Sequence, residues 1–164
     1  MQSLEKLFKG RHFERDIIVL CVRLGDQEFA LNIRAIREIR GWITSTPLPH
    51  APSYIKGMIN LRGSVLAIID LAERLGLPSV PPHSTSVVVV IEHGERVVGL
   101  LVDAVSDIIT ATEEMRQVPP ETGSAASREY VEGLLMRDKQ IISVLSIEAV
   151  MPKDTSIDAA LAAA

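Results

Sequence analysis

Apolar residues in this chain fall in short blocks separated by turn residues, a pattern that predicts strands rather than long helices. Ile17–Leu24 is rich in β-branched residues, Gly25-Asp26 is a turn signal, and Gln27–Ile33 reads as the returning strand. Arg34–Arg37 has the length of one helical turn. Ile39–Ile43 is extended before the loop Thr44–Ser53, which is punctuated by Pro47, Pro49 and Pro52. Tyr54–Leu61 and Ser64–Ile69 flank Arg62-Gly63 as a second hairpin. A short helix is expected over Asp70–Leu75, capped by Asp70 and ended by Gly76 and Pro78. After a proline-rich loop over 76–85, Ser86–Glu92 and Glu95–Val102 form a third hairpin about His93-Gly94. Asp103–Thr110 is a mixed segment and Glu113–Arg128 a polar loop. Tyr130–Arg137 and Gln140–Ser146 form a fourth hairpin about Asp138-Lys139, with Ile147–Met151 as a coda. Residues 1–14, with Leu4, Leu7 and Phe8 at helical spacing, read as an arm or a helix, and residues 152–164 as an Ala-rich tail.

The blocks repeat. A shift of 69 residues lays Val19–Ile39 on Val88–Ile108 without a gap, placing Gly25 on Gly94, Ile36 on Val105 and Glu38 on Asp107. A shift of 76 lays Tyr54–Leu71 on Tyr130–Ile147, placing Gly57 on Gly133 and Val65 on Ile141. Each copy holds the material of a small barrel of about five strands, a unit too small to bury a comfortable core alone. Strands such as Val87–Ile91 lack polar alternation, so both of their faces are expected to be covered. The expected architecture is therefore all-β with a few short helices. Two barrel subdomains, about 15–80 and 81–151 with ends that can exchange, pack around a shared hydrophobic core. The seam between them is a natural binding groove.

Composition narrows the chemistry. With 164 residues, 47% hydrophobic and 4% aromatic, the core must be built from Val, Ile, Leu and Ala. A net charge of −4 argues against a general nucleic-acid binder. The single cysteine, Cys21, cannot close an internal disulfide and sits mid-strand among apolar residues, which fits a buried thiol in a cytosolic protein. No apolar stretch approaches a membrane span, and the first residues lack the apolar core of a secretory signal. His12, His50, His83 and His93 are scattered without metal-ligand spacing, and no phosphate loop, dinucleotide fingerprint or serine elbow is present. No cofactor, metal site or catalytic residue is expected.

One region is distinctive. Asn60-Leu61-Arg62-Gly63 and the following Ser64–Leu71, preceded by Thr46-Pro47-Leu48-Pro49-His50-Ala51-Pro52-Ser53-Tyr54-Ile55-Lys56-Gly57, resemble the signature of the CheW family of bacterial chemotaxis coupling proteins. Ala35-Ile36-Arg37-Glu38-Ile39 is similar to that family's V-x-E-I segment. The resemblance covers about residues 15–151. Ala67 stands where the family commonly has proline, and His50 where it has asparagine or glycine. The resemblance implies two SH3-like five-stranded barrels and a non-enzymatic cytoplasmic adaptor at receptor arrays. Its partners would be the helical hairpin at the chemoreceptor tip and the regulatory domain of the CheA histidine kinase. An adaptor of another chemosensory pathway, serving pilus motility or surface sensing, is the alternative; an isolated kinase regulatory domain is a further one, against which the start at Met1 and the Ala-rich end speak.

The candidate partner-binding residues follow from comparing the two copies. Arg62 sits in the hairpin turn Asn60-Leu61-Arg62-Gly63, whose counterpart Met136-Arg137-Asp138-Lys139 has Asp138 at the matching position, so the fold does not demand an arginine at 62. Its guanidinium either forks onto a partner carboxylate or carbonyl, or is tied to its own barrel through Glu38. Gly57 and Asn60 complete the motif around it. Ile36 and Glu38, with Val98, Gly99 and Val105 in the matching second-copy region, either line the seam or belong to the core. By resemblance, a receptor helix would lay its apolar side chains against them.

Overall fold

The computed structural model describes residues 16–79, 81–117 and 129–152, and the expected N-terminal arm, most of the 113–128 loop and the tail beyond Pro152 lie outside them. The strands are β1 (Ile17–Leu24), β2 (Gln27–Asn32), β3 (Ile36–Gly41), β4 (Ile55–Leu61), β5 (Ser64–Asp70), β6 (Val87–His93), β7 (Arg96–Val102), β8 (Ala104–Ala111), β9 (Arg116–Gln117), β10 (Val131–Arg137) and β11 (Gln140–Leu145). Two short helices, α1 (Leu71–Arg74) and α2 (Ile147–Val150), follow β5 and β11. Single 3-10 turns occupy Ile33–Ala35 and Glu113–Met115.

Local differences from the sequence reading have local causes. The segment read as mixed is the full strand β8, held by antiparallel pairing to β1. The third hairpin turns at Gly94-Glu95, one residue later than expected, because Gly94 at φ +65° repeats the geometry of Gly25 at φ +63°. The coda is the helix α2. Ser146 caps it by accepting from the Ala149 amide at 3.2 Å, as Asp70 caps α1 from the Glu73 amide at 3.3 Å.

The strands form two sheets, β8-β1-β2-β11-β10-β9 and β3-β6-β7-β5-β4. Neither sheet is a sequence half. The first hairpin of the chain pairs in parallel with β11, and the third hairpin pairs in parallel through β7 with β5. Each copy has thus given its opening hairpin to the other's sheet, which places two of the chain's four hairpins in each layer. One sheet has the expected five strands; the other gains the two-residue β9 as a sixth.

Alternation along the strands sorts the core into three parts. Leu20, Val22 and Leu24 of β1 join Val89, Ile91, Val98 and Leu100 of the opposite sheet in the shared core. The intervening Val19 and Cys21 pack with Ala30, Leu135, Ile142 and Val144 inside the six-stranded sheet. Val88 and Val90 pack with Ile59, Leu66, Ile68 and Leu101 inside the five-stranded sheet. The uninterrupted valines of β6 therefore face apolar surroundings on both sides. The loop before β4 carries His50 at φ +64°, a left-handed conformation costly for most side chains but mild for asparagine. His50→Asn is expected to raise stability by roughly 0.5–1 kcal/mol, read as an upward shift of the denaturation midpoint at unchanged slope.

Candidate functional site

The β4–β5 hairpin closes through Arg62-Gly63, both at positive φ (+52° and +87°), the geometry of a two-residue turn that follows strand twist. Asn60 steadies it by accepting from the Gly63 amide at 3.0 Å. From this tip Arg62 donates through Nη2 to Oε2 of Glu38 on β3, while Arg40 Nη1 lies 3.6 Å from the other carboxylate oxygen. The hydrogen bond from Arg62, then the charges of Arg62 and Arg40, hold the Glu38 carboxyl below the usual carboxylate range. β3 and β4 are the two margins of one sheet, so this ion pair requires the sheet to curl until its margins meet. In the other sheet Arg137 Nη1 on β10, the strand next to the margin β9, lies 3.0 Å from Asp107 Oδ2 on the opposite margin β8. Asp107 is the repeat counterpart of Glu38; Arg137 stands one position before that of Arg62.

Of the candidate residues, the structure brings Glu38, Asn60 and Arg62 together at this tip, with Arg62 the most open at 69% side-chain exposure. Ile36 and its counterpart Val105 are half-buried at the edges of the shared core. Val98 lies buried in the middle of that core and offers no surface to a partner. Gly99 and Gly57 are packing positions. A Cβ on Gly99 would stand 2.7 Å from Val88 and 2.8 Å from Ile68, and one on Gly57 would stand 2.4 Å from the Thr46 carbonyl. The floor of the seam is therefore filled by the protein itself.

The accessible part of the seam is its rim, which the sequence reading did not single out. Val65 (60% exposed) precedes the core residue Ala67 on one strand face, opposite Asn60. Its repeat counterpart Ile141 (57%) stands opposite Met136 at the other hairpin tip. Ile39 lies across from the core residue Val89, and its counterpart Ile108 (56%) across from the core residue Leu20. The shared core thus crops out at repeat-related places, and each outcrop is an exposed apolar side chain on a sheet face. The two shifts already paired Val65 with Ile141 and Ile39 with Ile108; strand alternation read from the core inwards would have exposed them.

The titratable groups near the helices serve structure. Asp70 accepts from Ser79 and from the Glu73 amide, with Lys56 Nζ at 3.8 Å from the Asp70 carboxylate and 3.1 Å from Glu73. Hydrogen bonds from Ser53 and then Lys56 hold the Glu73 carboxyl low against the effect of burial. Among the described residues no three His, Cys, Asp or Glu side chains gather as a metal set, and no helix is long and apolar enough to cross a membrane. Cys21 is fully buried, and burial, with Glu28 nearby, raises its thiol pKa to about 11. A thiol reagent at pH 8 is expected to leave native protein unmodified and to react fully once it is unfolded. Because the unfolded thiol ionises near 9 and the folded one does not, this group's contribution to stability is complete below pH 9 and is lost as the pH rises towards 11.

A two-sheet β protein with an apolar-rimmed seam, ion-paired hairpin tips and a filled interior is a docking module. The comparisons specify which. The CheW-like domain family model matches residues 19–154. The chain is 48% identical over 143 residues to the probable chemotaxis protein CheW of Rhizobium etli, covering 87% of this chain and 91% of that one. It is 45% identical over 136 residues to the chemotaxis protein CheW of Rhizobium meliloti, covering 83% and 88%. The crystal structure of the scaffolding protein TtCheW from Thermoanaerobacter tengcongensis superposes with a TM-score of 0.77 at 26% identity, over 85% of this chain and 94% of that one. This chain belongs to the CheW family.

Proposed function

We propose that this chain is the non-enzymatic adaptor that couples the cytoplasmic tips of chemoreceptors to the regulatory domain of a CheA histidine kinase. The observation that carries the reading is the repetition of an apolar outcrop with an ion-paired arginine beside it on both subdomains of a CheW-family fold. Repeat-related surfaces on two packed sheets let a single small protein hold more than one partner, which is what an adaptor must do. Flat apolar outcrops rimmed by charge suit helices and sheet edges better than small molecules. The relatives at 48, 45 and 34% identity all carry chemotaxis names, which favours that pathway over pilus motility or surface sensing. This protein would work in the cytoplasm, beneath the receptor array.

Reconstitution tests the reading. Adding the chain to a CheA-type kinase and receptor cytoplasmic fragments is expected to make kinase activity respond to the receptor fragments. Kinase activity indifferent to the chain, with both partners shown competent alongside another family member, overturns it.

A further inference from the structure

The two copies end their second hairpins with equivalent helices that finish differently. α1 is closed by its own chain. Gly76, at φ +81°, lets its own amide reach the Glu73 carbonyl at 3.0 Å and the Leu77 amide reach the Ala72 carbonyl at 2.8 Å. The shift of 76 places Pro152 on Gly76. Proline is held near φ −65° and has no N–H, so α2 cannot end in the same way.

Its last carbonyls are met from the other subdomain instead. Arg74 donates through Nε to the Val150 carbonyl at 3.0 Å and through Nη2 to those of Ala149 and Met151, both at 3.3 Å. The Arg96 guanidinium donates to the Pro152 carbonyl. Arg74 ends the helix that follows β5, and Arg96 opens β7, both in the five-stranded sheet, whereas α2 hangs from β11 of the six-stranded one. The guanidinium carbon of Arg74 also lies 4.7 Å from the ring centre of Tyr54 and 5.2 Å from that of Tyr130, which are themselves a repeat pair. In the second copy the position of Arg74 is taken by Val150, so only one side supplies the cation.

We propose that Arg74 is an inter-subdomain pin: it supplies in trans the helix cap that Pro152 denies to α2, and thereby fixes the angle between the two sheets. The apolar contacts of the shared core are non-directional. The three directed hydrogen bonds and two ring faces at Arg74 are not. The inference concerns the isolated protein and stands independently of the adaptor reading.

Two readouts separate the cap from the pin. Arg74→Met is expected to lower the melting temperature by roughly 5–10 °C. It should also speed amide exchange at Val150 and Met151 at least about tenfold more than at Leu20 and Val89 in the strands. Nitroxides at Val65→Cys and Ile108→Cys, one on each sheet, should give a broader distance distribution by pulsed spin resonance. In the Pro152→Gly background, where α2 regains a glycine ending, Arg74→Met should leave Val150 and Met151 protected while the distance distribution stays broad. Should Arg74→Met fail to fold, Arg74→Lys, which keeps a cation over the rings with fewer bonds, should show the same two changes relative to the parent, smaller in size. Exchange in α2 that keeps step with the strands, an unchanged distance distribution, or a Lys variant identical to the parent each overturns the proposal.

Discussion

Gly99→Val is expected to destabilise the protein by about 3 kcal/mol or more and to abolish partner binding only as a consequence. Gly99 sits on β7 between Val90 of β6 and Ile68 of β5, with its face turned into the inner core of the five-stranded sheet. The first side-chain atom would stand 2.7 Å from Val88 Cγ1 and 2.8 Å from Ile68 Cδ1, both fully buried and without room to yield. Overpacking of this kind costs about 1–3 kcal/mol for a methylene or two, and the two extra methyls of valine push beyond it. Denaturant titration should show a lowered midpoint, and whatever folded fraction remains at low temperature should bind partners normally. Gly133→Ala, at the repeat counterpart of Gly57, is the contrast. Nothing lies within 4 Å of its added Cβ, so stability should hardly change, whereas Gly57→Ala drives a Cβ to 2.4 Å from a backbone oxygen. Two glycines that a repeat makes equivalent need not be equally constrained.

That contrast marks where sequence reasoning succeeds and where it stops. The hairpins, three of their four turns, the Asp70 cap and the double-sided burial of β6 follow from local chemistry, and local chemistry is written in adjacent residues. The repeat was legible because insertions fell in loops, leaving constant shifts of 69 and 76. That ends can exchange was expected, but not that the opening hairpins are what the sheets exchange, because a shift shows which residues are equivalent and says nothing about which strands pair. Val98 illustrates the same limit. Its apolar neighbours and repeat position suit a seam, and the structure places it in that seam, but on the side where the opposite sheet fills the space. Ile39 and Val65 look like core in sequence. They are exposed because they stand one step beyond the rows that the opposite sheet covers. The Glu38 tie to Arg62 was one of two readings open from sequence, and the structure realises it.

Realising that tie does not exhaust Arg62, and a charge swap decides what else the residue does. Arg62→Ala should shift the melting temperature by no more than about 2 °C, since a pair this exposed is screened by solvent and contributes little to stability. If the guanidinium also forks onto a partner, the same change should weaken binding to receptor or kinase fragments by roughly tenfold or more. The left-handed backbone at Arg62 and the Asn60 bond across the turn hold the side chain in place before a partner arrives, so binding does not have to order it. The Glu38→Arg, Arg62→Glu double variant restores the ion pair between β3 and the hairpin tip with its polarity reversed. It should fold and melt a little below the parent, since Arg40 then lies beside a like charge at position 38, yet bind as weakly as Arg62→Ala, because it presents a carboxylate where the partner would meet a guanidinium. Binding recovered by the swap would reduce Arg62 to a latch between sheet margins, leaving the apolar outcrops at Val65, Ile39, Ile108 and Ile141 to carry the docking alone.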